Sequence, residues 1–337
     1  MTGVMESGNH VLCATVILIL LLLFVFAALC TTMPSKYGDK INITNMDDNN
    51  REGYISTGNG RIWFRIVGAD GKKTPLLLLH GGPGASHDYF ESLSVLSDER
   101  PVIFYDQLGC GNSDKPEDLS IYTVENYVKE LGEVRSALGL DEVHILGQSW
   151  GGGLAAAYYL DGNPEGVKSL ILSSPLLDTG RWISDQKAYL SEMPEEIQEH
   201  VRHAEETGNY DSKEYQDAMN YYYSVHLCRL DPWPPVLIKT FEKMSIPVYM
   251  HMWGPSEFTC TGTLKSFNLT GNLSEIDVPV FFICGEYDEA APGSMKYFSG
   301  LVNNPELLII KDASHENHLE KEEEYTEAVR KFLNAAD

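Results

Sequence analysis

The chain has 337 residues, with 25 basic against 49 acidic side chains and a formal net charge of -24. That length allows one large domain or two small ones, and the acidic balance excludes nucleic-acid binding, which needs a basic surface to neutralise phosphates. The six cysteines match neither a zinc-ligand spacing nor a dense disulfide framework.

Residues 1–10 read as an N-terminal tail. Val11 to Cys30, "VLCATVILILLLLFVFAALC", follows without a charge and is long enough to cross a hydrocarbon core. No Lys or Arg precedes it, so a retained transmembrane anchor is preferred to a cleaved signal segment. Lys36, Lys40 and Arg51 would keep the following chain cytoplasmic. The glycosylation sequons at Asn42, Asn268 and Asn272 point the other way. The expectation is a membrane-anchored or secretory-pathway glycoprotein with a lumenal or extracellular domain. In such a compartment Cys228 and Cys260 could pair, although free buried thiols are favoured.

Residues 31–52 are polar and aperiodic and read as a linker. From about Tyr54 short apolar runs alternate with amphipathic stretches. "RIWFRIVG", "PLLLLHG", "PVIFYDQ", "EVHILGQ", "VKSLILSS", "VPVFFICG" and "ELLIIKD" predict strands. Several are continuously apolar, as in a sheet covered by helices on both faces. "TVENYVKELGEVRSALG", "WGGGLAAAYYL" and "EKEEEYTEAVRKFLNA" carry helical spacing. The alternation predicts a mostly parallel α/β sheet, with core segments at 53–176 and 264–337. Between them, residues 177–263 are helical and aromatic and read as a cap over the carboxyl edge of the sheet.

Gly147-Gln148-Ser149-Trp150-Gly151 fits G-x-S-x-G between a predicted strand and a predicted helix. A serine on so tight a turn needs small neighbours, and its hydroxyl projects beside a helix N-terminus that can stabilise negative charge. A serine nucleophile needs a base, and the base an orienting carboxylate. Asp288 follows "VPVFFICG" and His315 follows "ELLIIKD", in the expected Ser, acid, His order. Glu286 and Asp312 compete with Asp288, and His318 competes with His315. The oxyanion donors are expected to be the backbone N–H groups of Trp150 and of Gly82 in "HGGPGASHDY". No phosphate-binding motif or metal-ligand spacing is present, so neither a cofactor nor a metal is expected.

Together "HGGPGASHDYF", "FYDQLGCGNSD", "GQSWGG", "CGEYDEAAP" and "DASHENHLE" resemble the prolyl aminopeptidases (proline iminopeptidases) of the α/β-hydrolase superfamily, most of all their tricorn-interacting aminopeptidase subgroup. "LCRLDPWPP" and "WGPSEFTCTGT" resemble that subgroup's cap. The resemblance implies an eight-stranded α/β-hydrolase sheet with the helical cap between strands six and seven. It implies Ser149, Asp288 and His315 as the triad, with Gly82 and Trp150 as oxyanion donors. It also implies that Glu257 and Glu289 bind the substrate's free amine. The expected substrates are short peptides or amino-acid amides with a free N-terminus, cleaved through an acyl-enzyme with proline preferred. An amino-acid amidase or esterase of the same fold is the alternative. Trp182, Tyr221, Tyr222, Tyr223, Trp233, Trp253 and Phe258 are all available to wall the side-chain pocket, and the sequence does not choose among them.

Overall fold

A computed structural model of the chain describes residues 40–47 and 49–337. Its strands are β1 (Ile41–Met46), β2 (Asn50–Ser56), β3 (Arg61–Val67), β4 (Leu76–Leu79), β5 (Val102–Tyr105), β6 (Val143–Gln148), β7 (Val167–Ser173), β8 (Val280–Gly285) and β9 (Glu306–Ile310). Among the described residues they form one nine-stranded sheet in the order β1-β2-β3-β5-β4-β6-β7-β8-β9. Pairing is antiparallel from β1 to β3 and on to β5, and parallel from β5 onward. This is the α/β-hydrolase arrangement, with one strand more than expected. The additional strand, β1, falls in the stretch read as linker. Its residues are half-buried or exposed, so it is held by backbone pairing at a sheet edge and has no apolar alternation to reveal it.

The central strands are buried on both faces, and their alternate residues enter different cores. Leu77, Leu79, Ile103, Tyr105, Ile145, Leu172 and Phe282 belong to one cluster. Leu76, Leu78, Val102, Phe104, Leu146, Ile171 and Phe281 belong to the other. The period-two pleat thus turns continuous apolar runs into two packed faces. Helix α1 (Val124–Leu138) starts on Thr123, whose side chain accepts the Asn126 N–H, and stops at Gly139 in the left-handed conformation. Helix α2 (Trp150–Leu160) is buried from Trp150 to Tyr159, as a helix apolar on all sides must be.

Five α-helices lie between β7 and β8: α3 (Thr179–Glu192), α4 (Glu195–Thr207), α5 (Lys213–His226), α6 (Pro235–Glu242) and α7 (Ile246–Met252). Asp178 caps α3 and Ser212 caps α5 through their side chains. Met193, Val201, Tyr215, Met219, Tyr222 and Phe258 give this insertion a core of its own. It is also tied to the sheet. Lys239 and Lys243 grip the buried Asp88 at 2.6 and 2.8 Å, joining α6 to the 3-10 helix His87–Asp98. At the end of α5, the His226 carbonyl accepts from the amides of Glu289 and His315, at 3.3 and 3.1 Å. Cys110, Cys228, Cys260 and Cys284 are all free thiols, so Cys228 and Cys260 do not pair.

The membrane expectation is corrected. Residues 11–30, on which it rested, lie outside the described residues, and among the described residues no helix is long and apolar enough to cross a membrane.

A β-carbon on Gly151 would overlap the Leu79 carbonyl oxygen. Gly151→Ala is therefore expected to destabilise the chain by about 1–3 kcal/mol through overpacking, read as a lower Tm in thermal unfolding.

Candidate active site

Ser149 is the single residue between β6 and α2, and its backbone stands at φ 56°, ψ -122°. A non-glycine residue there stores strain of about 1–3 kcal/mol. The turn closes because its flanking glycines allow backbone contact: a β-carbon on Gly147 would overlap the Gly151 carbonyl. Ser149 N–H donates to the Ser173 carbonyl, fixing the turn against β7. Trp150 opens α2, where the first amides have no intrahelical acceptor. Its indole N–H donates to Gln107 Oε1 at 2.9 Å.

The loop after β4 reaches the same point. Gly81 N–H donates to the Tyr89 hydroxyl at 2.8 Å, and that hydroxyl donates to Gln148 Oε1 at 2.8 Å. With the Gly81 amide engaged, Gly82 carries the next N–H of this loop. Its φ of 105° suits glycine. Gln148 and Tyr89 thus bind the serine turn to the glycine loop. Nothing in the sequence marks Tyr89 for this role, because its partner is 59 residues away.

Asp288 and His315 sit after β8 and β9, and both are buried. His315 Nδ1 lies 2.8 Å from Asp288 Oδ1. That carboxylate also accepts from the amides of Ala290 and Gly285, at 2.8 and 3.0 Å, and from Ser174 Oγ at 2.6 Å. Asn317 Nδ2 donates to Ser174 Oγ at 3.0 Å. Ser174 and Asn317 are positioning groups absent from the sequence reading, since neither belongs to its motifs.

The competing residues go elsewhere. Glu286 and Asp312 are exposed, and Glu286 Oε2 accepts the Asp312 N–H. His318 is buried among Tyr89, Phe90 and Tyr325, and its Nε2 stands 3.1 Å from the Tyr89 carbonyl. Burial lowers its pKa to about 4, which keeps it neutral.

A cavity of about 300 Å³ opens over Ser149, lined by Gly82, His315, Glu257 and Glu289. Ser149, His315, Glu257 and Glu289 therefore border one space. Glu257 accepts hydrogen bonds from the hydroxyls of Tyr249 and Tyr223, at 2.5 and 3.1 Å. Burial raises the pKa of Glu257, against the effect of those phenols. Burial also raises the pKa of Glu289, against the pull of the His315 charge, and pushes Glu316, another lining residue, up to about 8. Burial alone would depress His315, but the charges of Glu289, Asp288 and Glu316 outweigh it and raise it to about 10. Among the described residues no lysine or arginine lines the cavity. It is a site short of one cation.

Of the seven aromatic residues left open above, Trp182, Tyr223 and Trp253 line the cavity, joined by Tyr215, Phe241 and Tyr249. Tyr222 and Phe258 pack in the core of the insertion, Tyr221 is exposed, and Trp233 packs against Phe241. Trp182 meets the His315 ring edge-on at a centroid distance of 5.8 Å.

Residues 74–322 match the family described as alpha/beta hydrolase fold. The proline iminopeptidase of Heyndrickxia coagulans is 42% identical over 285 residues, covering 84% of this chain and 99% of that one. The proline iminopeptidase of Clostridium botulinum is 38% identical, covering 85% and 99%. This chain belongs to the proline iminopeptidase family of α/β hydrolases. The crystal structure of a Mycobacterium smegmatis proline iminopeptidase superposes with a TM-score of 0.79 at 32% identity, over 85% of this chain and 98% of that one. These relatives are used up, over almost their whole length, by about 85% of this chain. They lend no support to a membrane-anchored, lumenal or extracellular enzyme, and that expectation is set aside.

Ser174→Ala removes the 2.6 Å donor to Asp288 Oδ2. It is expected to lower kcat about tenfold, about 1.4 kcal/mol of barrier, with KM and Tm little changed; steady-state kinetics and thermal unfolding check it.

Proposed function

We propose that the protein is a serine aminopeptidase that releases N-terminal residues, proline preferred, from short peptides. The observation that carries this reading is the presence of two buried carboxyl groups, Glu257 and Glu289, in the same cavity as Ser149 and His315. Glu257 and Glu289 receive the substrate's ammonium group and so place the first carbonyl carbon over Ser149. A unit charge pair about 4 Å apart interacts by about 4 kcal/mol at the effective dielectric of a protein interior. That is enough to discriminate a free from a blocked N-terminus by about a thousandfold.

His315 Nε2 takes the proton of Ser149 as the hydroxyl oxygen attacks the carbonyl. Asp288 holds the ring through Nδ1 and stabilises the imidazolium that forms. The Trp150 and Gly82 amides donate to the oxyanion. The C–N bond then breaks, the imidazolium protonates the leaving amine, and a water molecule activated by His315 hydrolyses the acyl-enzyme. The flat apolar ring of a proline suits the walls formed by Trp182, Tyr223 and Trp253. The proline iminopeptidase names of the relatives support this preference. They do not favour the amidase or esterase alternative. The inserted helices form a cap that limits access to chain ends and short peptides.

Hydrolysis of prolyl p-nitroanilide, free and N-acetylated, is the direct test. Ser149→Ala is expected to lower kcat by on the order of 10⁴-fold or more; full activity in that variant overturns the nucleophile. Acetylation is expected to lower kcat/KM by about 10³-fold. Equal turnover of the two substrates would remove Glu257 and Glu289 from the amine site.

A further inference from the structure

One contact in the cavity runs against the chemistry. Nε2 of His315 must be unprotonated to take the Ser149 proton, yet it stands 3.3 Å from Glu289 Oε1. The other oxygen, Glu289 Oε2, is buried without a hydrogen-bond partner. The backbone at both residues is tied to the same group: the amides of Glu289 and His315 both donate to the His226 carbonyl, and Gln186 donates to the Glu289 carbonyl at 2.8 Å.

Among the described residues, the remaining groups around the ring offer no compensating cation. Asp288 holds Nδ1. Glu257 acts on the ring from the loop after α7, and Glu316 acts from the adjoining residue. His318 is neutral, and the α3 residue Trp182 presents only its ring.

We propose that in the empty site Glu289 holds His315 as an imidazolium, and that the substrate's N-terminal ammonium releases the imidazole by taking over that carboxylate. This rests on the aminopeptidase reading above and adds a second task to its amine anchor. One cation replaces another. The ammonium enters, the Nε2–H bond breaks with its electron pair left on nitrogen, and the proton leaves for bulk water. Nε2 is then free to take the proton of Ser149. The balance of charges has the right direction: the carboxyl groups of Glu289, Asp288 and Glu316 raise the His315 pKa, so the empty site favours the imidazolium. Amine recognition therefore enters the chemical step as well as binding, and a substrate lacking the amine loses kcat in addition to affinity.

The test reads the base without any substrate amine. The full chain is treated with an uncharged fluorophosphonate, which phosphonylates Ser149, across a range of pH. Glu289→Gln is expected to shift the acid limb of that rate profile to lower pH by about one unit or more, because loss of the carboxylate lowers the His315 pKa. Superimposable profiles overturn the proposal. Should the variant fold poorly, the wild-type chain decides. Pyrrolidine, a cyclic secondary amine without a carbonyl, is added as its hydrochloride at concentrations that inhibit prolyl p-nitroanilide hydrolysis. The downfield Nδ1–H proton NMR resonance of His315 is expected to move upfield on binding at pH 7, as the imidazolium becomes neutral; binding without that movement overturns the switch. Selective hydrolysis of the free over the acetylated arylamide separates the two readings: if it persists while these tests fail, only the switch falls.

Discussion

A serine held in the left-handed region at the end of a buried strand demands backbone contact that no side chain would permit. Gly147 and Gly151 meet across the turn, and Gly151 also abuts the strand that leads to the glycine loop. This one close approach brings three things to a point: the serine hydroxyl, the Trp150 amide at the start of α2, and the loop carrying Gly82. The hydrogen-bonded line from Gly81 through Tyr89 to Gln148 makes the junction rigid. The local strain at Ser149 is sustained because the sheet and α2 around it are fully packed.

The second organising influence is uncompensated charge. The enzyme buries several carboxyl groups around one imidazole and supplies no lysine or arginine to the cavity lining among the described residues. Desolvation raises the carboxyl pKa values, and the attraction between Glu289 and His315 opposes it by favouring the charged form of both. A ligand with an ammonium group would supply the cation that the lining lacks. The proposed amine recognition and the proposed control of the base both rest on this one electrostatic imbalance.

The inserted helices are part of this site and more than a cover. The end of α5 lends its last carbonyl to the loops bearing Glu289 and His315. Helix α3 supplies Trp182, Gln186 and Tyr189, the last donating to the Asp288 carbonyl at 3.0 Å. Helix α6 is anchored by two lysines on Asp88, beside the glycine loop. Displacement of the insertion would therefore disturb Asp288, His315 and Glu289 together.

How much of this was legible in the chain depended on whether the governing interaction was local. G-x-S-x-G, the apolar runs and the strand-then-residue spacing of Asp288 and His315 are short-range patterns, because turn geometry and strand burial constrain neighbouring residues. From these the sequence determined the fold class and nominated Ser149, Asp288 and His315 for the reacting centre, and the resemblance nominated Glu257 and Glu289 as amine anchors. The apolar run at 11–30 satisfied a length criterion but led to a localisation that the relatives do not support. Edge strand β1, with no buried face, left no periodic trace. Tertiary structure alone decided the rest: which aromatic residues wall the cavity, that Tyr89, Ser174 and Asn317 hold the site in place, and that Glu289 faces His315 Nε2. Each of these depends on groups far apart in the chain meeting in three dimensions, where burial and distance set both the contacts and the charges.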